Sequence, residues 1–355
     1  MLNTKSCELF NNNDVINSND LRKRILNIDS RFRTNHSTPT TDFQYRLEHT
    51  YKNVIRMKVG SVEIPNMFYN FSEKKGNTKF IIRAFDKLNI IREATIMIPD
   101  GNFLSNEIVN EIQTELDNKL KIPYGIFMTV ILNTNNAKIT IMNNGVSAYP
   151  ITLATAVPTD SAKPFSLSFL TCQSHKDRQC NFGLGYYLGF RNKSYKVDKT
   201  TASLLVPTLT AYTITGEACL DVVGDQYMFL CVNDLHTVEQ KTNKSYFECL
   251  AKIIIREEKQ AVIYDDGSTL LSNEIIFPSP VDINFLNIKL VDPYGEVIDL
   301  VGMNFSFSLE ITEVLNTKLY DFYRNYIWAG TIPSVNYKTV KGSAQPLLKG
   351  IGPPF

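Results

Sequence analysis

The chain has 355 residues, 43% of them hydrophobic, enough to bury a substantial core in one large domain or two. Its 37 Lys plus Arg against 36 Asp plus Glu leave a net charge of +1, which excludes a global field drawing in nucleic acid or an anionic membrane. No apolar run approaches the roughly 20 residues of a membrane-spanning helix, and Met1–Asp20 is Asn-rich rather than apolar, so synthesis and folding in a cytoplasm are expected, without a secretory leader.

Residues 1–27 are polar and unpatterned and read as a flexible N-terminal arm. A Ser/Thr/Pro-dense lead-in follows, Ile28–Thr41, whose Arg31 and Arg33 suit either phosphate contact or, more simply, anchorage of a loop on carboxylates and carbonyls. Apolar residues then alternate: Phe43, Tyr45 and Leu47, next Val54, Met57, Val59, Val62 and Ile64, a pair of strands ended by Pro65. Phe80–Ala84 and Thr95–Ile98 continue the strand pattern.

The period changes after Pro99-Asp100-Gly101-Asn102. Ile108, Ile112, Leu116 and Leu120 recur every four residues while Glu107, Glu111 and Glu115 line another side, which predicts a helix near 105–120 with Ser105 or Asn102 as cap and Pro123 and Gly125 as terminators. Ile126–Leu132 and Lys138–Met142 form a predicted hairpin across Asn133–Asn136. Residues 94–143 therefore make a small α+β unit set into a longer sandwich.

A loop-rich insertion is predicted at 146–215, punctuated by Pro150, Pro158, Pro164 and Pro207. Its Gly183, Gly185 and Gly189 lack the flanking strand and helix of a nucleotide fingerprint. Set among Tyr186, Tyr187 and Phe190 they read as a tight turn seated on a core. Strands resume at Cys219–Val223 and Tyr227–Asn233, joined by a hairpin link at Gly224-Asp225-Gln226. Cys249–Arg256 is a further strand whose continuous apolar run implies burial on both faces. Asp265-Asp266-Gly267-Ser268 reads as a solvated turn with too few ligands for calcium. Ile288 and Leu290, then Phe305, Phe307, Leu309 and Ile311, alternate again, across a turn at Asp292–Gly295.

Because alternating segments bracket the whole middle, the economical architecture pairs first strands with last. The expected fold is mainly β, an antiparallel jelly-roll-like sandwich body over 28–314 carrying the two insertions. Beyond it lies a C-terminal tail, 315–355, whose Tyr320, Phe322, Tyr323, Tyr326 and Trp328 concentrate aromatic surface either for a partner or for folding back on the sandwich.

Catalytic chemistry finds little support. Four histidines, His36, His49, His175 and His236, sit in dissimilar contexts, with no Ser elbow, zinc helix or phosphate loop, so neither enzyme activity nor a cofactor is expected. Cys172, His175 and Cys180 form the one cluster with zinc-type ligands, but no fourth ligand accompanies them. Several of the six cysteines lie within apolar strand patterns such as Tyr227–Val232 and read as small buried hydrophobes. The stretch Arg22-Lys23-Arg24 with Arg31 and Arg33 is a local basic cluster that ordinarily is just solvated.

Asp29–Arg33 (DSRFR) and Thr41–Ser72 resemble the opening of a family of structural proteins from nucleocytoplasmic large DNA viruses. Ile98–Leu116 resembles that family's strand-to-helix junction, with Phe103 in place of Tyr. Leu184–Phe190, Leu250–Ile253, Lys289–Leu300 and Asn304–Ile311 continue the similarity in colinear order. The resemblance implies a non-enzymatic virion component on a jelly-roll-like body, a minor capsid or vertex (penton) protein. Implied partners are the major capsid protein, other minor capsid proteins and further copies of itself in a symmetric shell. A host-attachment or carbohydrate-binding module on the virion surface, with Tyr186 and Tyr187 as platform, is the alternative.

Overall fold

In the computed structural model the described residues are 21–151, 155–169, 183–197, 199–233, 235, 238–241, 246–267, 270 and 274–315. In chain order the elements are β1 (Leu21–Asp29), β2 (Asp42–Pro65), β3 (Lys79–Phe85), β4 (Ile91–Met97), α1 (Ser105–Leu116), β5 (Ile126–Asn133), β6 (Lys138–Val146) and β7 (Phe165–Ser168). They continue with α2 (Leu184–Tyr187), β8 (Ser194–Lys196), β9 (Lys199–Ala202), β10 (Thr210–Thr215), β11 (Tyr227–Val232), β12 (Val238–Lys241) and β13 (Tyr246–Cys249). The last are β14 (Ala251–Ile254), β15 (Val262–Asp265), β16 (Glu274–Val291) and β17 (Ser306–Val314). The chain is predominantly β and antiparallel, with one long helix.

The first and last strands share a sheet, as the bracketing alternation predicts. Its order is β1-β17-β2-β16-β11-β14, with β15 also on β2. The predicted pair of strands at 41–66 is in fact one strand of 24 residues, bent where Asn53 takes a positive φ of 53°. Opposite that bend the register of β16 slips three times between Ile276 and Phe285. Such bulges turn a strand and increase its twist. The start of β2 runs beside the end of β16, whereas its second half pairs with β17. Side chains from both halves consequently meet in one core, where Phe43 lies edge-on to Phe305 at 6.1 Å. Val54, Met57, Val59, Val62, Ile64, Ile288, Leu290, Phe307, Leu309 and Ile311, all read from period two, are buried there.

The middle of the chain builds a second core of its own. Two four-stranded sheets, β4-β3-β7-β8 and β5-β6-β10-β9, contribute Phe80, Ile82, Ile96, Ile141 and Leu167. Ile108, Ile112 and Leu116 of α1 complete it. Residues 146–215, read from the sequence as loop-rich, thus supply β7 to β10. Their strands are only three to six residues long, too short for periodicity to register.

After α1 the chain stays helical through a π-helical stretch, Asp117–Lys121, and the turn Ile122–Tyr124, and stops as predicted at Gly125, at φ 61°, but the helix starts differently. Leu104 is the cap residue, its amide donating to Glu107 Oε2 at 2.7 Å, so one glutamate of the wet face closes the first turn. Asn102 is used elsewhere, accepting from the Asn70 amide at 2.8 Å. On the inner side Gln113 fills a backbone gap, taking the Val130 amide on Oε1 and donating from Nε2 to the Met128 carbonyl.

Other expectations are corrected. Residues 219–223 form no strand: they cross between the cores, held by the bonds Leu220 N to Ala137 O and Asp221 N to Tyr187 O. The Gly224–Gln226 link is therefore no hairpin turn. The strand expected over Cys249–Arg256 is broken at Leu250 into β13 and β14, and Ile254 is 37% exposed, because β14 lies at the end of its sheet. Leu21–Asp29, most of it within the expected arm, is a strand.

Candidate interaction surfaces

Strand β1 pairs with β17 in a register that sets Leu21 opposite Val314. Residues 1–20 and 316–355 therefore attach to the body at neighbouring positions on one corner. Beside the backbone ladder, charged side chains tie β1 there. Glu313 Oε2 takes Arg22 Nε at 2.8 Å and Arg24 Nε at 3.0 Å; the carboxylate side chain is 4% exposed and the two guanidinium side chains 48% and 40%. Lys23 pairs with Glu310 at 3.0 Å, and Arg24 lies over the Tyr51 ring. Only Ile28 of β1 enters the first core as a fully buried residue, with Leu26 partly buried, whereas Ile25 is 77% exposed. A groove of about 480 Å³ beside this corner is lined by Arg22, Arg24, His49, Tyr51, Lys52 and Glu313. The aromatic residues singled out from the sequence, Tyr320, Phe322, Tyr323, Tyr326 and Trp328, lie outside the described residues.

The second surface is the junction between the cores, a cavity of about 780 Å³. The chain crosses it twice, after β2 and before β11. Asn70 ties the crossings together: its Nδ2 donates to the carbonyls of Val222 and Val223 at 2.9 and 2.8 Å. Asn66 does the same for the turn after β14, with Nδ2 on the carbonyls of Glu257 and Glu258. In both residues the carboxamide oxygen is buried without a hydrogen-bond partner. Each such orphan costs about 1–3 kcal/mol.

Lys259 projects from the same turn. Its Nζ donates to the Phe68 carbonyl at 2.9 Å and stands 3.4 Å from the centroid of the Phe68 ring. Burial, together with the neighbouring Lys75 ammonium, pushes this amine down to about 7, against a smaller opposing pull from Asp225.

The remaining sequence candidates take structural roles. Arg31 grips Asp29, and Arg33 donates to the carbonyls of Ser30, His36 and Thr38, so the loop-anchoring alternative holds. With Arg22, Lys23 and Arg24 engaged as above, every cation of the basic cluster has a partner. Gly185 admits the Phe169 ring where a β-carbon would stand, and Gly189, at φ 90°, backs onto the Ala218 carbonyl. Tyr187 and Phe190 are buried in the second core, and the Arg191 guanidinium covers Tyr186 at 4.2 Å, so this is the turn seated on a core and not an open aromatic platform. Asp265 caps its own turn through the Gly267 amide. Cys249 packs with Phe229 and Val291 as a small hydrophobe. Cys172, His175 and Cys180 lie outside the described residues.

Glu313, Lys259, Asn66 and Asn70 escaped sequence reading. Glu313 did carry a signal, since it extends the core parity Phe305, Phe307, Leu309, Ile311 by one step and so marks a charge at a position of buried phase. The other three carried none, because their meaning arises only where two distant crossings meet.

These features define an antiparallel β-sandwich protein with two hydrophobic cores and a charge-clamped terminal strand. No protein-family model and no curated protein matches the chain. Among solved structures it is similar to the mavirus penton protein, with 9% identity and a TM-score of 0.40 over 83% of this chain and 99% of that chain. No helix among the described residues is long and apolar enough to cross a membrane.

Proposed function

We propose that this protein is a non-enzymatic structural component of a large DNA virus particle, a minor capsid or vertex (penton) protein. In this reading it works in the virion beside the major capsid protein, other minor capsid proteins and further copies of itself. The observation that carries the reading is the corner at Leu21 and Val314. A stiff sandwich, closed by its first and last strands, presents both terminal segments at one place, and β1 is held there by its backbone ladder and a buried carboxylate rather than by deep apolar packing. That is the arrangement a shell protein needs to clamp neighbours while its body stays rigid. The colinear sequence resemblance over Asp29–Thr312 supports the same assignment.

Cross-linking mass spectrometry on purified particles tests it. The expected result is the intact chain in the particle, with cross-links from residues 1–20 and 316–355 to capsid neighbours. Absence from the particle, or reproducible glycan binding by the purified protein on an array, overturns it; the second outcome assigns attachment instead.

A further inference from the structure

Strand β11 carries a cysteine whose thiol meets a second one at the end of β13. Strands β11 and β14 run antiparallel with Leu230 opposite Ala251, and the Leu250 amide donates to the Leu230 carbonyl at 2.9 Å. Two residues therefore face one, a β-bulge, and both Leu250 and Ala251 turn into the first core. The bulge sets the next residue, Cys249, across from Cys231 on the other face of the sheet. There both pack with Phe229 and Val291, and their thiols are hydrogen-bonded to each other. Facing residues of antiparallel strands have Cα atoms about 4.5–5.5 Å apart, inside the range of about 4.4–6.8 Å that a disulfide spans. Without the bulge Cys231 would face Leu250.

The two thiols are not equivalent. Cys249 is fully buried, whereas Cys231 is partly buried and lines a cavity of about 700 Å³ with Asp42, Gln44, Glu248, Asn287 and Lys289. That volume is within the span of small-ligand pockets, about 300–1,000 Å³. On its other side Cys231 faces Lys289 of β16, whose ammonium stands 3.9 Å from the Asp42 carboxylate. The hydrogen bond from Cys249 draws the Cys231 thiol below its ordinary value; burial opposes this and Lys289 adds to it. The same bond and burial push the Cys249 thiol up. An accessible sulfur beside a cation is thus backed by a shielded one, the arrangement of an attacking and a resolving thiol.

We propose that Cys231 and Cys249 are a disulfide-forming site that is oxidised by a small peptide disulfide of the glutathione type, admitted through the cavity. Cys231 Sγ, as the thiolate, attacks one sulfur of that disulfide; the S–S bond breaks, and the departing thiolate takes up the proton Cys231 gave up. Cys249 then loses its proton, and its sulfur attacks Cys231 Sγ in the mixed disulfide, releasing the second peptide thiol, to which that proton passes. Two protein thiols are oxidised to one S–S bond while one peptide disulfide is reduced to two thiols. The new bond staples the two-stranded sheet β12-β13 to β11 of the larger sheet, and it needs no rearrangement beyond bringing two hydrogen-bonded sulfurs together. The inference does not require the capsid assignment.

Non-reducing peptide mapping of the full-length protein tests it, after incubation with oxidised glutathione and blocking of the remaining thiols with iodoacetamide. The expected product is a linked pair of peptides, one carrying Cys231 and the other Cys249. Before oxidation, Cys231 is expected to be alkylated about tenfold faster than Cys249. In Cys249→Ala the resolving sulfur is gone, so Cys231 accumulates as its mixed disulfide with glutathione; in Cys231→Ala, Cys249 stays unmodified. Alkylation of both residues in the native protein after oxidised glutathione overturns the proposal, as does linkage of either to a different cysteine. A folded Cys249→Ala protein whose Cys231 takes no glutathione overturns it too. If the variants fail to fold, the map of the native protein decides.

Discussion

Replacing Glu313 by Ala tests how β1 is held. The carboxylate is 4% exposed and accepts from two guanidinium groups at 2.8 and 3.0 Å. Removing one partner of a fully buried pair costs about 3–5 kcal/mol, whereas an exposed pair is worth about 0–1 kcal/mol. Here the acid is buried and the bases reach water, so the stranded arginines rehydrate in part and the cost falls between those limits, at about 2 kcal/mol. At about 1.4 kcal/mol per decade, amide protection across Leu21–Asp29 drops about thirtyfold in hydrogen exchange, while β3 to β6 keep theirs. Glu313→Gln retains an acceptor and loses about half as much. Because the acid is shielded from solvent, the loss persists in high salt; Lys23→Ala, which breaks the exposed pair with Glu310, produces little change at any ionic strength. Unaltered protection of β1 in Glu313→Ala would show that the strand is held by its backbone ladder and Ile28 alone.

Three further outcomes follow from single residues. Gly189→Ala forces a side chain into positive φ and against the Ala218 carbonyl, and chemical denaturation should show a loss of about 3 kcal/mol; a change under 1 kcal/mol contradicts the packing described. Ile112→Ala opens a cavity between α1 and the second core and should cost about 2–5 kcal/mol in the same assay, with no loss meaning that α1 is not seated there. Burial raises the Asp86 carboxyl, but the Ile90 amide and Arg92 outweigh it and hold the group below the usual carboxylate range. A lowered folded-state value stabilises above the unfolded value and is lost as pH falls through the folded one. Asp86→Asn should therefore destabilise at pH 7 by about 1–3 kcal/mol and narrow its gap to the native protein below about pH 4; a pH-independent gap refutes the role.

Much of the first core was legible because each of its strands buries one face over many residues. Phe305 through Ile311 hold strict parity, and all four odd positions are buried. Parity failed at Asn53, where a left-handed residue lets one strand continue through what looks like a boundary. It failed again at β7 to β10, where three to six residues give no period to measure. The helix was read from its four-residue spacing, but its cap was not, because Asn102 is drawn away by the Asn70 amide and Glu107 supplies the closing bond instead.

The sequence by itself determined the class of the fold, the pairing of first strands with last, the helix and the side chains of the first core. Each follows from local alternation of apolar and polar residues, which dictates which face is buried whatever lies across from it. Only the tertiary structure decided that the middle of the chain closes a second core, that Glu313 gathers Arg22 and Arg24 from 291 and 289 positions away in sequence, and that Lys259 meets Phe68 at the junction. Those facts depend on distances between segments remote along the chain, and a charge or an amide acquires its role from what stands opposite it, which no periodicity encodes.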